Sequence, residues 1–471
     1  MKTKEFLSIG TMMAIFICIF SMAELCAAQP YPITTLNLGN SINHLFSASL
    51  RAPTVPVPHK TNIGVVVMHP YGSINTQVCT ELAKRGFTTL CASAGFAQDT
   101  YYGYEQQAPG VASAINYLKY GSPKVTTVLL FGHSAGGPLM AFYQNIAENG
   151  AAACQGPEKI IPCVAKPTAD TDLDDIPEAD GVMLFDSHLG EGFAVMTYID
   201  PAMNKEDCEP RNPEFDMFSA ENGYDVTTNG ATYSTQFKKT FTTHQAIRNN
   251  DLLIEAINLL KDKIRSTGDP TQLGDDIPFN IPGCRSARLF QPDTTLLKYT
   301  KKEHTLLSRF GARPVQIIES VRAPQGDAAR GLDCDRSTRF TNVHIWLGTE
   351  TLRVTPGLYT QTENSITGID FASSATSANI NVQGITKPVV IVANTGHYFV
   401  VPDEMIYDAA KTSDKTLAYL EGAVHGGTPC LPCATAIDPT IDTQAKANAY
   451  WGDTFSRVMD FYAEWIAARY H

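Results

Sequence analysis

The sequence predicts an α/β fold in which a mostly parallel sheet is covered by helices on both faces. Three observations support this prediction. Short apolar runs alternate with helix-like segments between residues 63 and 186, the alternation resumes between residues 388 and 468, and the mixed stretch 190–386 interrupts it. Continuous apolar runs are typical of strands buried on both faces, and regular alternation of strands with helices indicates parallel pairing.

The individual elements follow from local periodicity and from helix stop signals. Before the interruption, strands are predicted at 63–70, 87–93, 126–132 and 181–186, and helices at 75–86, 104–121 and 135–149. After it, strands are predicted at 388–394 and 415–425, and helices at 402–413 and 445–468. Pro109 and Gly110 are unfavourable residues within helix 104–121, so that helix is the least regular of the set.

The chain is expected to consist of four segments. They are a signal peptide (1–28), a first part of the core (29–189), a cap or insertion (190–386) and a second part of the core (387–471). In the insertion, 241–266 predicts a long amphipathic helix, and 313–324 and 342–354 predict strands. The architecture is therefore one sheet domain with a large mixed insertion.

The N-terminus has the features of a secretory signal peptide. Lys2 and Lys4 precede an apolar run, and small residues up to Ala28 suit cleavage. A retained membrane anchor is the alternative, since the apolar run is of borderline length. No other stretch is long and apolar enough to span a bilayer. We therefore expect a secreted or periplasmic protein with no stable membrane span after processing.

Charge argues against one class of partner. The formal net charge is -12, and no long basic run is present. Phosphate backbones are bound by clustered lysines and arginines, so nucleic acid is not expected as a partner.

Cysteine usage agrees with export, because an oxidising compartment favours disulfides. Cys154 and Cys163 flank a short loop and are the best local pair. Cys430 and Cys433 form Cys-Leu-Pro-Cys, for which a disulfide is favoured over a zinc site because no second such motif exists. Cys79 lies in helix 75–86 and Cys91 in strand 87–93, so either could simply fill the core.

A reactive serine is predicted where strand 126–132 meets helix 135–149. Gly132-His133-Ser134-Ala135-Gly136 fits Gly-x-Ser-x-Gly, a turn that holds its serine in a strained, exposed conformation between a strand and a helix. The alternative is an ordinary helix N-cap serine. The strand-to-helix context favours a nucleophile.

A serine nucleophile needs a base, and a histidine is expected later in the chain. Three of the eleven histidines lie in the resumed sheet region: His397, His425 and His471. His425 follows the last predicted strand and precedes two glycines, which suits a mobile catalytic loop. We therefore expect His425 to be the base.

These motifs resemble those of the α/β-hydrolase superfamily. The resemblance rests on "GHSAGG", on "MHPYG" after the first apolar strand and on "EGAVHG" before the last helix, and it covers 63–186 and 388–471. It implies that the backbone N–H groups of Tyr71 and Ala135 form the oxyanion hole. It also implies that the insertion is a cap and that hydrolysis uses neither cofactor nor metal.

The carboxylate of the triad is the residue that departs from the family pattern. The loop after strand 388–394 would usually supply it, but His397 stands near that position and would repel an imidazolium. Asp403 and Glu404 come later and resemble first-turn helix residues. Asp186, at the end of strand 181–186, occupies the other known location. We expect Asp186 first and Asp403 second.

The sequence therefore predicts an exported serine hydrolase, most simply a carboxylic-ester hydrolase acting on a small-molecule or polymeric ester. An amidase, peptidase or acyltransferase could use the same triad, and a binding protein could keep the fold without the chemistry. The subfamily, the substrate and the oligomeric state stay open.

Overall fold

The structure, a computed structural model, describes residues 31–41, 44–72, 76–93, 103–121, 124–203, 211–284, 287–326 and 337–470. The predicted signal peptide, 1–28, lies outside the described residues. Across the described ranges, no helix combines the length and apolar character needed to cross a bilayer.

One ten-stranded sheet forms the centre of the molecule. Its strands are β1 (Ile33–Ser41), β2 (His44–Arg51), β3 (Ile63–Val67), β4 (Thr88–Ser93), β5 (Thr127–His133), β6 (Gly181–Phe185), β7 (Tyr299–Leu307), β8 (Val315–Glu319), β9 (Val389–Asn394) and β10 (Lys415–Leu420). Their order is β1-β2-β4-β3-β5-β6-β9-β10-β7-β8. The strands from β4 to β7 in that order run parallel, while β1, β2 and β8 pair antiparallel.

Helices cover both faces of this sheet. The principal helices of the molecule are α1 (Thr76–Lys84), α2 (Tyr104–Tyr120), α3 (Gly136–Asn149), α4 (Glu191–Met196), α5 (Thr235–Thr267), α6 (Val400–Ala409), α7 (Leu431–Ile437), α8 (Gln444–Trp451) and α9 (Thr454–Ala467). Along β3, Val66 belongs to the core shared with α2, α3 and α6, whereas Val65 and Val67 belong to the core shared with α1 and α9. Alternation along buried strands thus builds two apolar layers, one on each face.

The predicted fold class is confirmed. Strands β3, β4, β5, β6, β9 and β10 lie in the six predicted runs, and their mutual pairing is parallel. The first two strands, β1 and β2, were not predicted. They form an antiparallel hairpin at one edge of the sheet, where β2 joins β4.

Part of the insertion belongs to the central sheet. The strands β7 and β8 lie within 190–386, and β7 pairs in parallel with β10. A buried carboxylate fixes this attachment: Glu404 in α6 accepts hydrogen bonds from the backbone N–H groups of Lys301 and Lys302, at 2.8–3.0 Å. Its Oε1 also lies 2.9 Å from Nε2 of His304. Glu404 thus has a structural role in holding the inserted strands.

The rest of the described insertion combines the long helix α5 with small elements. The predicted helix 241–266 is confirmed, and it begins earlier, at Thr235. The small elements are two short helices (Val343–Ile345 and Ala378–Asn381) and four strand pairs: Tyr224–Asp225 with Gly230–Ala231, Pro278–Ile281 with Arg339–Asn342, Arg353–Val354 with Ile369–Asp370, and Thr360–Gln361 with Ile366–Thr367.

The predicted strand 342–354 is wrong over most of its length. It forms a short helical turn, Val343–Ile345, followed by a π-helical turn, Trp346–Glu350. The run buries Trp346 against α5 in a cluster that is separate from the central sheet. A short apolar run does not distinguish a buried helix from a strand, and tertiary packing decides here.

Three disulfides are present among the described cysteines. Cys154–Cys163 and Cys430–Cys433 confirm the two sequence-local pairs. The third, Cys79–Cys91, was not predicted, and it joins α1 to β4, so these two residues do more than fill the core.

Candidate active site

Ser134 lies on the predicted sharp turn between β5 and α3. Its backbone φ is +56°, a left-handed conformation that costs a non-glycine residue about 1–3 kcal/mol. The turn is held by two hydrogen bonds: Ser134 N–H donates to the carbonyl of Phe185 at 3.0 Å, and Gly137 N–H donates to the carbonyl of Ser134 at 3.0 Å. The strain therefore persists because neighbouring strand and helix backbone fix it.

The glycines around Ser134 are required by close backbone approach. A Cβ atom on Gly132 would lie 2.1 Å from the carbonyl oxygen of Gly136, and one on Gly136 would lie 2.6 Å from that of Met68. A Cβ on Gly137 would lie 2.0 Å from Oγ of Ser187. Glycines therefore flank Ser134 because the strand, the helix and the adjacent loops pack so closely there that a side chain has no room.

Asp186 follows the neighbouring strand, β6, and is fully buried. Its backbone is also left-handed, with φ +43°. Its N–H donates to the carbonyl of Val392 at 2.7 Å, and its Oδ1 accepts from the N–H of Asn394 at 2.9 Å. The end of β9 therefore holds both the backbone and one carboxylate oxygen of Asp186.

His425, in the loop after β10, lies between the other two predicted residues. Its Nδ1 is 2.5 Å from Oδ2 of Asp186, and its Nε2 is 2.8 Å from Oγ of Ser134. Parallel strands present their carboxyl ends at one edge of the sheet, and this edge brings the three residues together. Sequence reasoning predicted all three side chains for one site, and the structure places them in a single hydrogen-bonded row.

Two further residues hold the loop of His425 in place. The backbone carbonyl of His425 lies 2.8 Å from Nε2 of His133, and it accepts from Nδ2 of Asn394 at 3.2 Å. The same Nδ2 donates to the carbonyl of Val424 at 2.9 Å. Sequence reasoning missed Asn394, although a polar residue at the end of an otherwise apolar strand was a usable signal.

The two titratable partners, Asp186 and His425, have shifted pKa values. Burial alone would raise the pKa of Asp186, but His397 and His425 beside it lower that pKa below its ordinary range. The pKa of His425 is also lowered, first by burial and then by His397, while Asp186 partly opposes the shift. Asp186 is thus favoured as a carboxylate and His425 as a neutral imidazole, which suits a base.

His397 occupies a different role from the repelling cation expected for it. Its Nδ1 lies 2.8 Å from Oδ2 of Asp186, although its N–H is not aimed at the oxygen as a hydrogen bond requires. Its ring stacks on that of His425, with centroids 4.4 Å apart. Burial lowers the pKa of His397, which favours the neutral ring. His397 therefore packs against the pair as an aromatic wall.

Neither alternative carboxylate contacts His425 among the described hydrogen bonds. Asp403 is fully buried, and its Oδ1 accepts from the N–H of Ser187 at 3.3 Å. Burial and the charge of Asp186 raise the pKa of Asp403 well above its ordinary value, which favours its neutral form. The carboxylate of Glu404 accepts hydrogen bonds from β7. The geometry therefore favours Asp186 as the partner of His425.

Of the two residues expected to form the oxyanion hole, Tyr71 contacts the buried carboxylate of Glu191 directly, and Ala135 is linked to it through Tyr104. The phenol of Tyr71 donates to Glu191 at 2.9 Å. The phenol of Tyr104 lies 3.4 Å from Glu191 and 3.2 Å from the carbonyl of Ala135. The backbone N–H of Tyr71 donates to Nδ1 of His69 at 3.1 Å, so in this structure it is engaged within its own turn. No sequence signal had pointed to Glu191.

A cleft opens above Ser134 and His425, with a volume of about 490 Å³. Its lining residues are His69, Gln77, Val78, His133, Ser134, Phe185, His425, Gly426, Thr428 and Phe455. The wall thus combines imidazoles near Ser134 with apolar and aromatic side chains. Such a cleft accommodates an acyl or alkyl group beside the serine.

One group of side chains has metal-ligand character within the described part of the chain. Donor atoms of Asp186, His397 and His425 lie within 4.8 Å of one another. A metal ion at this point would take the atoms through which Asp186 and His425 contact each other. The geometry therefore suits a hydrogen-bonded pair, and no reaction step here is assigned to a metal.

The strand order, the strained serine turn after β5 and the following helix identify the fold. The fold is that of the α/β-hydrolases. The resemblance noted from the sequence is therefore confirmed at the level of the fold.

Comparisons with known proteins find solved structures that match the chain at low sequence identity. The sequence matches no family model, and a comparison with curated proteins finds no significant match. Among solved structures, Est1E from Butyrivibrio proteoclasticus is 12% identical, with 88% of this chain and 99% of that chain covered and a TM-score of 0.33. Carboxyl esterase 2 from Tuber melanosporum is 10% identical, covering 94% and 89%, with a TM-score of 0.38. A bromoperoxidase from Bacillus anthracis is 14% identical, covering 88% and 98%, with a TM-score of 0.30.

Glycine substitutions test the packing of the serine turn. We predict that Gly132→Ala lowers the free energy of unfolding by at least about 3 kcal/mol, because its Cβ would overlap backbone atoms that cannot move aside. Gly426→Ala is the matched control, since nothing lies within 4 Å of a Cβ there, and it should change stability by less than about 1 kcal/mol. Urea unfolding measures both. Equal stability of the two variants would show that the turn is not packed as described.

Proposed function

We propose that the protein is an exported serine hydrolase that cleaves carboxylic esters, with Ser134 as nucleophile, His425 as general base and Asp186 as the orienting carboxylate. The observation that carries the proposal is the row of contacts from Asp186 through His425 to Ser134, at 2.5 and 2.8 Å. Nucleophilic catalysis by a serine requires this order of residues. The base must contact the serine hydroxyl with one ring nitrogen, and the carboxylate must contact the other ring nitrogen.

The first half of the reaction forms an acyl-enzyme. Oγ of Ser134 attacks the ester carbonyl carbon while Nε2 of His425 takes the hydroxyl proton, and Asp186 stabilises the imidazolium through Nδ1–H. The tetrahedral intermediate then collapses, the bond to the alcohol oxygen breaks, and His425 returns the proton to that oxygen. In the second half, water repeats the attack with His425 as base, releasing the acid and restoring Ser134.

The oxyanion needs donors aimed at the developing charge, and we assign this role to the backbone N–H groups of Ala135 and Tyr71. Ala135 directly follows the serine at the start of α3, and its carbonyl is anchored by Tyr104. The N–H of Tyr71 would leave His69 and turn toward the oxyanion when the intermediate forms. Glu191, which holds both tyrosine side chains, would keep the two donors at a fixed spacing.

Ester cleavage and export have separate support. An ester releases an alcohol, which is a better leaving group than the amine of an amide. Cleavage of an ester therefore depends less on proton donation by His425 than cleavage of an amide does.

The three disulfides are consistent with an oxidising compartment outside the cytosol.

Ser134→Ala tests the proposal directly. The variant should fold normally and lose at least about 10⁴-fold in kcat on p-nitrophenyl butanoate, since it removes the nucleophile alone. A fluorophosphonate probe should label the wild type and Ser266→Ala, an exposed serine on α5, but not Ser134→Ala. Labelling that persists in Ser134→Ala, or activity within tenfold of wild type, would refute the assignment.

The pH profile tests the electrostatics of His425. The base must be neutral, so activity is lost as pH falls through its pKa, and a lowered pKa moves that loss to lower pH. We predict that the acid limb of kcat/KM has its midpoint below about 6.5, the value of an unperturbed histidine. Two neutral esters with different leaving groups should give the same midpoint. A midpoint at or above the unperturbed value would contradict the described environment.

A further inference from the structure

Arg288 is a buried cation in the insertion, and it lies close to the candidate active site. Its side chain is almost entirely enclosed, with 6% of the residue exposed. The guanidinium lies over the ring of Tyr198, 3.9 Å from the centroid, in a cation–π contact. Burying a charge is unfavourable unless it is paired, so the partners of this guanidinium are informative.

The guanidinium is only partly satisfied by the protein. Its Nε donates to Oγ1 of Thr197 at 3.1 Å, and its Nη1 donates to the phenol of Tyr398 at 2.7 Å. Within the described ranges, no carboxylate lies within ion-pair distance and Nη2 donates to no residue. Nη2 is also absent from the polar atoms that are sealed from solvent without a partner, so it faces accessible space. Three of its five N–H bonds are therefore free for a ligand.

A second buried arginine nearby shows what a purely structural guanidinium looks like. Arg322 is 5% exposed, and both of its terminal nitrogens donate to the protein. Its acceptors are the carbonyls of Phe290, Leu296 and Leu297 and Oγ of Ser320. Arg322 thus holds several turns of the insertion together. In Arg288, by contrast, Nη2 donates no hydrogen bond to a described residue.

Arg288 is linked to His425 through two aromatic rings. Tyr398, which accepts from Arg288, packs on the ring of His397 with centroids 3.9 Å apart, and His397 stacks on His425. Burial is the main cause of the lowered pKa values of His188, His397 and His425, and the charge of Arg288 lowers all three further. The guanidinium therefore lies within electrostatic reach of the proposed base.

Glu191 does not neutralise this cation. It influences Arg288 electrostatically but lies beyond ion-pair distance, and its carboxylate is held by Tyr71 and Tyr104. Burial raises the pKa of Glu191, which weakens its charge further. Among the described residues, the cation near His425 thus has no carboxylate as an ion-pair partner.

We infer that Arg288 binds a carboxylate carried by the substrate, so that the natural substrates are esters with a second, anionic group. The inference rests on the proposed ester hydrolysis at Ser134. A carboxylate would fill the free edge with two parallel N–H···O bonds, which is the geometry that arginine favours. It would also neutralise the buried charge. Selectivity should be strong, because hydrogen bonds to charged groups in a desolvated site contribute about tenfold to a hundredfold in binding.

The experiment compares matched pairs of esters with wild type, Arg288→Met and Arg288→Lys. One pair is the mono-p-nitrophenyl ester of adipate and its neutral counterpart, which has an isopropyl group in place of the carboxylate. The other pair carries the same two groups on the phenol side of a butanoate ester. Wild type should favour the anionic member of one pair at least tenfold in kcat/KM. Arg288→Met should lose at least about tenfold on that ester and less than threefold on its neutral counterpart, and Arg288→Lys should lie between.

Two controls make the result specific. Arg309→Met removes another guanidinium that lies on a tyrosine ring, Tyr450, at 3.7 Å, and it should leave the preference unchanged. Calorimetry measures adipate binding to Ser134→Ala and to Ser134→Ala/Arg288→Met, without any turnover. Adipate should bind the first and lose at least tenfold in affinity in the second.

The outcomes separate this inference from the proposed function. Equal loss on both members of each pair in Arg288→Met, or no anionic preference in wild type on either side of the ester, would overturn the anion site and leave ester hydrolysis standing. If no ester is cleaved while adipate still binds through Arg288, the anion site stands and the proposed reaction fails. Should Arg288→Met fail to fold, the wild-type preference and the Arg288→Lys variant decide the question.

Discussion

The buried carboxylate of Asp186 is the constraint on which the candidate site depends. A fully buried charge is costly, and it is offset here by the Nδ1 contact of His425 and by the N–H of Asn394. The same contacts fix where the ends of β6 and β9 and the loop after β10 can lie. The electrostatic requirement of one side chain therefore sets the positions of three neighbouring loops.

Backbone strain complements this arrangement. Ser134 and Asp186, at the ends of adjacent strands, both have positive φ values, and each is fixed by backbone hydrogen bonds to its neighbouring strand. Strained residues persist only where surrounding structure determines them fully, and they concentrate at functional sites. Two such residues facing one histidine, His425, give a site that is preorganised before a substrate enters.

The residues of the site could be predicted from the sequence because each has a local signature. Ser134 lies in a motif between a strand and a helix, His425 follows the last strand, and Asp186 ends an apolar run. Tyr71 and Ala135 came from the resemblance to the α/β-hydrolases, and their role stays a proposal. Glu191 and Arg288 lack such signatures, because their importance comes from contacts between segments distant in the chain.

The unpredicted parts of the fold share a physical cause. The hairpin of β1 and β2 and the inserted strand β7 depend on long-range pairing, and strand preference is decided by such context. In β7 the deciding contacts come from Glu404, about a hundred residues further along the chain. Segment 342–354 was predicted as a strand and is mostly helical. Its apolar run is compatible with a strand, but its packing against α5 favours a helical turn.

The central claim is that Asp186, and not Asp403, is the carboxylate that orients His425. The most direct measurement is kcat of Asp186→Asn and Asp403→Asn on one ester, with circular dichroism to establish folding. Asp186→Asn should lose about 10⁴-fold, because an amide favours the wrong tautomer of His425. Asp403 favours its neutral form, so Asp403→Asn should stay within about tenfold of wild type. A folded Asp186→Asn with near-normal kcat, beside an inactive Asp403→Asn, would contradict the account.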